Sequence, residues 1–204
     1  MSSSETEASV GRAAPRPTAP PDIAAAGHLI RPATDADGAA IARVIETVFA
    51  RYPHCFLVPE EVPELAAVAT HYGRLGGAIW VAVATDPGGA EERVVGSLAI
   101  ARTRDPATFE LFKVYLLPEA RGRGLATLML DRALAHARAA GGRRVRLWSD
   151  TKFVEGHAFY RRAGFRQLAA VRYLADVSLT WEYGFERPVD LPAAGGDAET
   201  AGAG

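Results

Sequence analysis

Cysteine is nearly absent from this 204-residue chain: Cys55 stands alone, so no intrachain disulfide can form and an oxidising compartment is not implied. Lysine is almost as scarce, with only Lys113 and Lys152 among 23 basic residues, a usage that reads as genomic base composition rather than mechanism. The five histidines show no pair at metal-ligand spacing and no cysteine cluster joins them, so no metal is expected. The formal net charge is -1, which leaves no global basic field to recruit nucleic acid or an anionic membrane. The local clusters Arg143-Arg144-Val145-Arg146 and Arg161-Arg162 read as solvated faces. No apolar run approaches the roughly 18 residues that a membrane helix needs. The N-terminal MSSSETEASV lacks the basic-then-apolar order of a secretory signal, and a cytoplasmic setting is expected.

What is present is enough apolar residue, 49%, to fill one core. Residues 1–27 are rich in Ser, Ala, Pro and Thr, and are expected to be a disordered arm, because such a stretch cannot offset its ordering entropy. Residues 190–204 have the same character, which leaves 28–189 as the domain. Within it, His28 to Pro32 reads as a strand. Thr34 followed by Asp37 is a variant of the capping box, and Ile41, Val44, Ile45, Val48 and Phe49 then recur at helical spacing. A weaker helix is expected near 62–75. Strands near 78–84 and 94–102 flank the turn Asp86-Pro87-Gly88-Gly89. A strand at 109–117 leads to a helix near 122–140 with Ala126, Leu130, Ala133, Leu134 and Ala137 as its buried stripe. A strand at 144–148, a helix at 154–163 and strands near 168–174 and 179–186 complete the order. The class is α/β, with one sheet covered by helices on both faces and a crevice where strand and helix diverge.

The segment that carries chemistry is Val114-Tyr-Leu-Leu-Pro-Glu-Ala-Arg-Gly-Arg-Gly-Leu-Ala126. A strand runs into a glycine-bearing loop that opens directly into a long helix. Free amides at a helix N-terminus, with the macrodipole behind them, favour an anion. Gly122 and Gly124 allow close approach to the backbone, and Arg121 and Arg123 add positive charge. The physics points to a pyrophosphate cradle. A dinucleotide fingerprint would require glycine where Thr127 stands, and the Gly-Lys-Ser/Thr of a Walker loop is missing.

The order Arg121-x-x-Gly124-x-Ala126 instead resembles the acyl-CoA signature Arg/Gln-x-x-Gly-x-Gly/Ala of the GNAT acetyltransferases. Phe159-Tyr160-Arg161-Arg162-Ala163-Gly164-Phe165 resembles the ending of that family's last helix, and it follows the strand 145–148 as the family order requires. The resemblance spans about 29–187 and is sharpest from Glu110 to Phe165. It implies a single mixed, mostly antiparallel sheet with helices on both faces, and acetyl-CoA as co-substrate. By the same resemblance, the backbone of Val114, Tyr115 and Leu116 holds the pantetheine arm, and the amides from Gly122 through Arg123, Gly124 and Leu125 to Ala126 hold the pyrophosphate. The family often carries Asn where this chain has Phe153, and Ala where it has Gly156; Ser149, Asp150 and Lys152 crowd the loop and are candidate substitutes for that Asn.

The resemblance makes Tyr160 the expected general acid, near the cofactor sulfur, and a backbone N–H near Tyr115 or Leu116 the expected oxyanion donor. Glu110, a carboxylate in the apolar run Phe109-Glu-Leu-Phe, is the first candidate for general base; the alternative is a solubilising charge at a sheet edge, and Asp150 is the second candidate. By alternation Glu110 is expected to share a face with Phe112 and Val114. Cys55 is expected to be a small core residue rather than a nucleophile. The stretch around it and the helix after it are expected to line the acceptor pocket. Glu60, Glu61 and Glu64 read as a solvated face or as a lure for a cationic amine, and Trp148, Trp181 and Tyr183 as core or as an aromatic acceptor wall. The acceptor, a small molecule or a peptide amine, stays open, and a homodimer through the last strands is compatible with the order of elements. Two other functions fit the same residues: a non-catalytic acyl-CoA-binding module, and an unrelated nucleotide-binding enzyme.

Overall fold

The structure, a computed structural model, describes residues 23–25, 27–85 and 92–190. Its strands are β1 (Ile23–Ala25), β2 (His28–Pro32), β3 (Ala78–Thr85), β4 (Glu92–Arg102), β5 (Thr108–Leu116), β6 (Arg144–Asp150), β7 (Arg166–Tyr173) and β8 (Trp181–Pro188). Its helices are α1 (Gly38–Phe49), α2 (Val68–Arg74), α3 (Leu125–Ala139) and α4 (Val154–Arg162). The strands make one sheet in the order β1-β2-β3-β4-β5-β6-β8-β7. Only β5 and β6 run parallel, so the expected mixed, mostly antiparallel sheet is what forms.

Alternation along the central strands divides the core into two layers. Trp80, Leu98, Ile100, Phe109, Leu147 and Phe185 meet Leu125, Met129, Ala133 and Ala137 of α3 and Tyr160 of α4. On the opposite face Ile79, Val81, Val83, Ala99 and Ala101 meet Ile41 and Ile45 of α1 and Val68 and Tyr72 of α2. The capping box before α1 is made: the Asp37 carboxylate accepts the Thr34 N–H at 2.7 Å and the Thr34 hydroxyl at 3.0 Å. Arg31 locks it by donating to both Asp37 oxygens at 3.0 and 2.9 Å.

Four expectations are revised. Ile23–Ala25, assigned by composition to the arm, pair antiparallel with β2, in the register Ile23 to Ile30 and Ala25 to His28. Gly27, at φ +76°, reverses the chain between them, a conformation that composition does not reveal. The rest of the expected arm, the turn at 86–89 and the tail beyond Asp190 lie outside the described residues. The weaker helix is α only from Val68, because Pro59 and Pro63 start separate 3-10 turns before it. The buried stripe of α3 begins at Leu125 and Met129, while Ala126, in the first turn, is only half-buried because it lines the cleft described below. β6 runs on to Asp150, two residues past the expected end, and this brings Ser149 and Asp150 into the sheet.

Candidate active site

The site begins with a defect in β5. Ser97 of β4 pairs with Tyr115 and Ala99 with Phe112, so Leu98 faces two residues and β5 carries a bulge. Lys113 sits in it at φ +51°, a conformation that costs a non-glycine residue on the order of 1 kcal/mol. Two contacts hold it there. The Ser97 hydroxyl donates to the Lys113 carbonyl at 2.7 Å, and the Lys113 ammonium pairs with Glu64 at 2.6 Å. The extra residue reverses the alternation beyond it. Phe112 packs with Tyr72 in the α1/α2 layer, whereas Val114 packs in the α3 layer, so the expected common face for Glu110, Phe112 and Val114 does not form.

The parallel pairing of β5 with β6 stops at Leu111 and Leu147. Beyond it the strands splay, and Val114, Tyr115 and Leu116 have no strand partner on the β6 side. A cleft of about 640 Å³ opens there. Its lining brings together Val114, Tyr115, Leu116, Arg121, Gly122, Gly124, Leu125, Ala126 and Tyr160, as the sequence implied. Arg123 is not part of that lining; its Nε reaches the Glu119 carbonyl at 3.4 Å.

At the cleft floor Gly124 caps α3 in the left-handed region at φ +77°, and Gly122 has φ +73°. The first helical bond of α3 runs from the Leu128 N–H to the Gly124 carbonyl, so the amides of Leu125, Ala126 and Thr127 have no partner within the helix. A Cβ added at either glycine would meet no atom within 4 Å: the backbone faces open space. An anion such as a pyrophosphate fits there. Arg121 donates to the Leu116 carbonyl at 3.2 Å and pairs with Glu155 of α4, which therefore competes for the guanidinium. Glu155→Gln is expected to tighten acetyl-CoA binding by about two- to fivefold, the value of a solvated ion pair, in a calorimetric titration. Looser binding by that variant would mean that the pair holds the cradle open.

Phe153, in the family's Asn position, stacks near Tyr52 and Phe49 with ring centroids 4.8 and 5.8 Å away. It gives the cleft an aromatic wall where an amide was expected. Ser149 and Asp150 are not in that cleft, and Lys152 bonds to Asp150 instead, so none of the three takes the place of the amide. Tyr160 is 6% exposed, with its ring against Phe159, Phe165 and Phe185. Its hydroxyl has no hydrogen-bond partner among the described residues, and burial pushes its pKa well up, so it stays protonated. A second cavity of about 170 Å³ lies across the split and shares Val114, Tyr115, Phe153 and Tyr160 with the first.

Glu110 is buried, and Arg146 donates to it at 2.6 Å; it lines neither cavity. The carboxylates in the second cavity are Asp150, Asp176 and Glu182. Burial pushes the Glu182 carboxyl up; Arg172, donating at 2.5 Å, opposes the rise, and Asp150 and Glu110 add to it. Sequence reasoning missed Asp176 and Glu182, which come from the β7–β8 turn and β8. Cys55 lines the same cavity, and burial with Asp150 nearby pushes its thiol up to about 11, which disarms it as a nucleophile. Glu61 accepts the Val177 N–H and Glu64 holds Lys113, so two of the three acidic residues of that helical stretch brace the site. Trp148 lines the cavity under the Arg172 guanidinium, whereas Trp181 is exposed and Tyr183 packs on His157. No group of three or more potential metal ligands occurs among the described residues, and none of their helices is long and apolar enough to cross a membrane.

A strand bulge, a splayed parallel pair and a glycine cradle before a helix thus meet at one cleft. The chain belongs to the acetyltransferase (GNAT) family, whose model matches residues 45–165. It is 33% identical over 153 residues to the uncharacterized N-acetyltransferase YjgM of Escherichia coli, covering 72% of this chain and 87% of that protein. Among solved structures, a GNAT-family acetyltransferase of Staphylococcus aureus superposes with a TM-score of 0.66 at 16% identity, covering 80% of this chain and 99% of that one. The putative acetyltransferase yncA of Salmonella typhimurium, solved with its cofactor acetyl-CoA, superposes with a TM-score of 0.60 at 23% identity over 84% and 99%. The chain is an acetyltransferase.

Proposed function

We propose that the enzyme transfers an acetyl group from acetyl-CoA to a primary amine by direct attack, both substrates being bound together. The observation that carries this reading is the placement of Tyr160, a residue that lines both cavities and whose hydroxyl has no hydrogen-bond partner among the described residues. One cavity has the anion cradle, and the other has the carboxylates. When bound, acetyl-CoA supplies the activated thioester. The amides from Gly122 to Ala126 hold its pyrophosphate, and the unpaired side of Val114 to Leu116 aligns its arm.

A primary alkylamine has a pKa of about 10.4, so at neutral pH about one molecule in a thousand or fewer is free base. A base in the second cavity is therefore required. Glu182 fits that part best: it lines this cavity, and its raised pKa brings it closer to the working pH. It takes the ammonium proton before attack, freeing the nitrogen lone pair that then forms the C–N bond. A backbone N–H at Tyr115 or Leu116 donates to the carbonyl oxygen, and Tyr160 gives its proton to the departing sulfur as the C–S bond breaks. Tyr160 is then reprotonated from the second proton that the amine sheds. Glu110 acts on Glu182 through space and favours its protonated form.

Titration with acetyl-CoA, ATP and NAD tests the cradle: selective micromolar binding of acetyl-CoA is expected, and equal or better binding of ATP or NAD would sink it. pH–rate profiles test the base. Glu182→Gln is expected to remove the acidic limb. Glu110→Gln, by deleting a neighbouring negative charge, is expected to lower the Glu182 pKa and move that limb to lower pH. A limb that survives in Glu182→Gln and vanishes in Glu110→Gln would return the role to Glu110.

A further inference from the structure

We propose that the second cavity is the acceptor site and that it selects a compact amine carrying no carboxylate. This rests on the acetyl-transfer reading and goes on to name the substrate class. The cavity meets the cofactor cleft at Tyr160, whose hydroxyl, on a residue 6% exposed, has no hydrogen-bond partner among the described residues. A group filling this cavity meets, across the side chain of Tyr160, whatever the cleft holds. The volume, about 170 Å³, equals roughly five or six water molecules, which suits a short chain or a single ring. Two hydrogen bonds lie beside its wall at Ser178. The Phe56 N–H donates to Ser178 Oγ at 2.9 Å, and the Val177 N–H donates to Glu61 Oε1 at 2.9 Å. They tie the segment between α1 and α2 to the β7–β8 turn.

The charges decide what enters. Lys113, in the wall, is matched by Glu64 at 2.6 Å. Asp150 is matched by Lys152 at 3.3 Å, and Glu182 by Arg172 at 2.5 Å. Asp176 makes no ion pair among the described residues; its Oδ1 accepts the Thr180 N–H at 2.8 Å, which fixes the carboxylate in the wall. The lining with its partners therefore carries one uncompensated negative charge. An incoming ammonium is attracted by it. The carboxylate of an α-amino acid would face the same charge, with every cation around the cavity already engaged. Phe49, Trp148 and Leu174 provide apolar surface for the remainder of the amine.

The test compares matched trios at saturating acetyl-CoA, reading thiol release and the acylated product by mass spectrometry. Isobutylamine, L-valine and L-valinamide form one trio; 2-phenylethylamine, L-phenylalanine and L-phenylalaninamide form the other. The amine is expected to exceed its amino acid in kcat/KM by about 30-fold or more, since like charges placed together cost several kcal/mol. The amide, equally bulky but without the carboxylate, is expected within about tenfold of the amine, by the same charge argument. Asp176→Asn keeps the acceptor for Thr180 and is expected to narrow the amine-to-acid gap about tenfold. An amino acid used as well as its amine, or a gap unchanged in Asp176→Asn, overturns the proposal. So does the absence of turnover with both amines by protein that binds acetyl-CoA. Failure to bind acetyl-CoA at all would instead overturn the acetyl-transfer reading beneath it.

Discussion

Tyr160→Phe is expected to lower kcat by about 10²- to 10³-fold near neutral pH, within the range for a positioned acid. The protein should otherwise be unchanged. The hydroxyl has no hydrogen-bond partner among the described residues to lose, and the ring contacts with Phe159, Phe165 and Phe185 survive the substitution. Melting temperature and acetyl-CoA affinity are therefore expected to match the parent. The pH dependence separates acid catalysis from packing. Burial raises the Tyr160 pKa, so the group stays protonated across the working range and adds no basic limb of its own. A leaving thiol has a pKa of about 8.5, and above that pH its thiolate departs without needing a proton. The defect should accordingly be largest at low pH and shrink above about 8.5. A constant defect at all pH values would assign Tyr160 to positioning, and no defect would remove it from the mechanism.

What was legible in the sequence is what contiguous residues build. The cradle is one loop and one helix start, so Arg121, Gly124 and Ala126 could be read in order, and the structure lines the cleft with all three. Tyr160 was legible for the same reason, as part of one helix ending in Gly164. The bulge was not, because it depends on Ser97 and Leu98 of a neighbouring strand as much as on Lys113. Missing it carried through to Val114, which alternation puts on the face of Glu110 and Phe112 and which the bulge turns to the other. A lysine among Phe112, Val114 and Tyr115 was the available signal. The second cavity was harder still. The hydrogen bonds beside it join Phe56 to Ser178 and Glu61 to Val177, pairs 122 and 116 residues apart. Local patterning has no access to such contacts, so Asp176 on that turn and Glu182 on β8 carry no signal in the sequence.

The cradle itself is tested most sharply by a substitution that the fold should tolerate and the ligand should not. Gly124→Asp meets both conditions. Aspartate is among the few residues that adopt positive φ at modest cost, and a Cβ at this position meets no atom within 4 Å. At a helix start an Asp side chain can also answer first-turn amides, so stability is expected to stay within about 1 kcal/mol of the parent. For the ligand the consequences reverse. A fixed carboxylate competes for the amides and dipole of α3 and stands against the pyrophosphate. Two unit charges about 5 Å apart at an effective dielectric of about 20 repel by about 3 kcal/mol, so the acetyl-CoA Kd is expected to rise at least about 100-fold. Gly124→Asn has nearly the same shape without the charge and is expected to lose roughly tenfold or less, for occupying the amides alone. The difference between the two variants, measured by calorimetry at low and high salt, isolates the electrostatic part, which should shrink as salt rises. Equal affinities for Asp and Asn would show that the α3 N-terminus does not receive the anion, and would move the cofactor assignment away from Gly122 to Ala126.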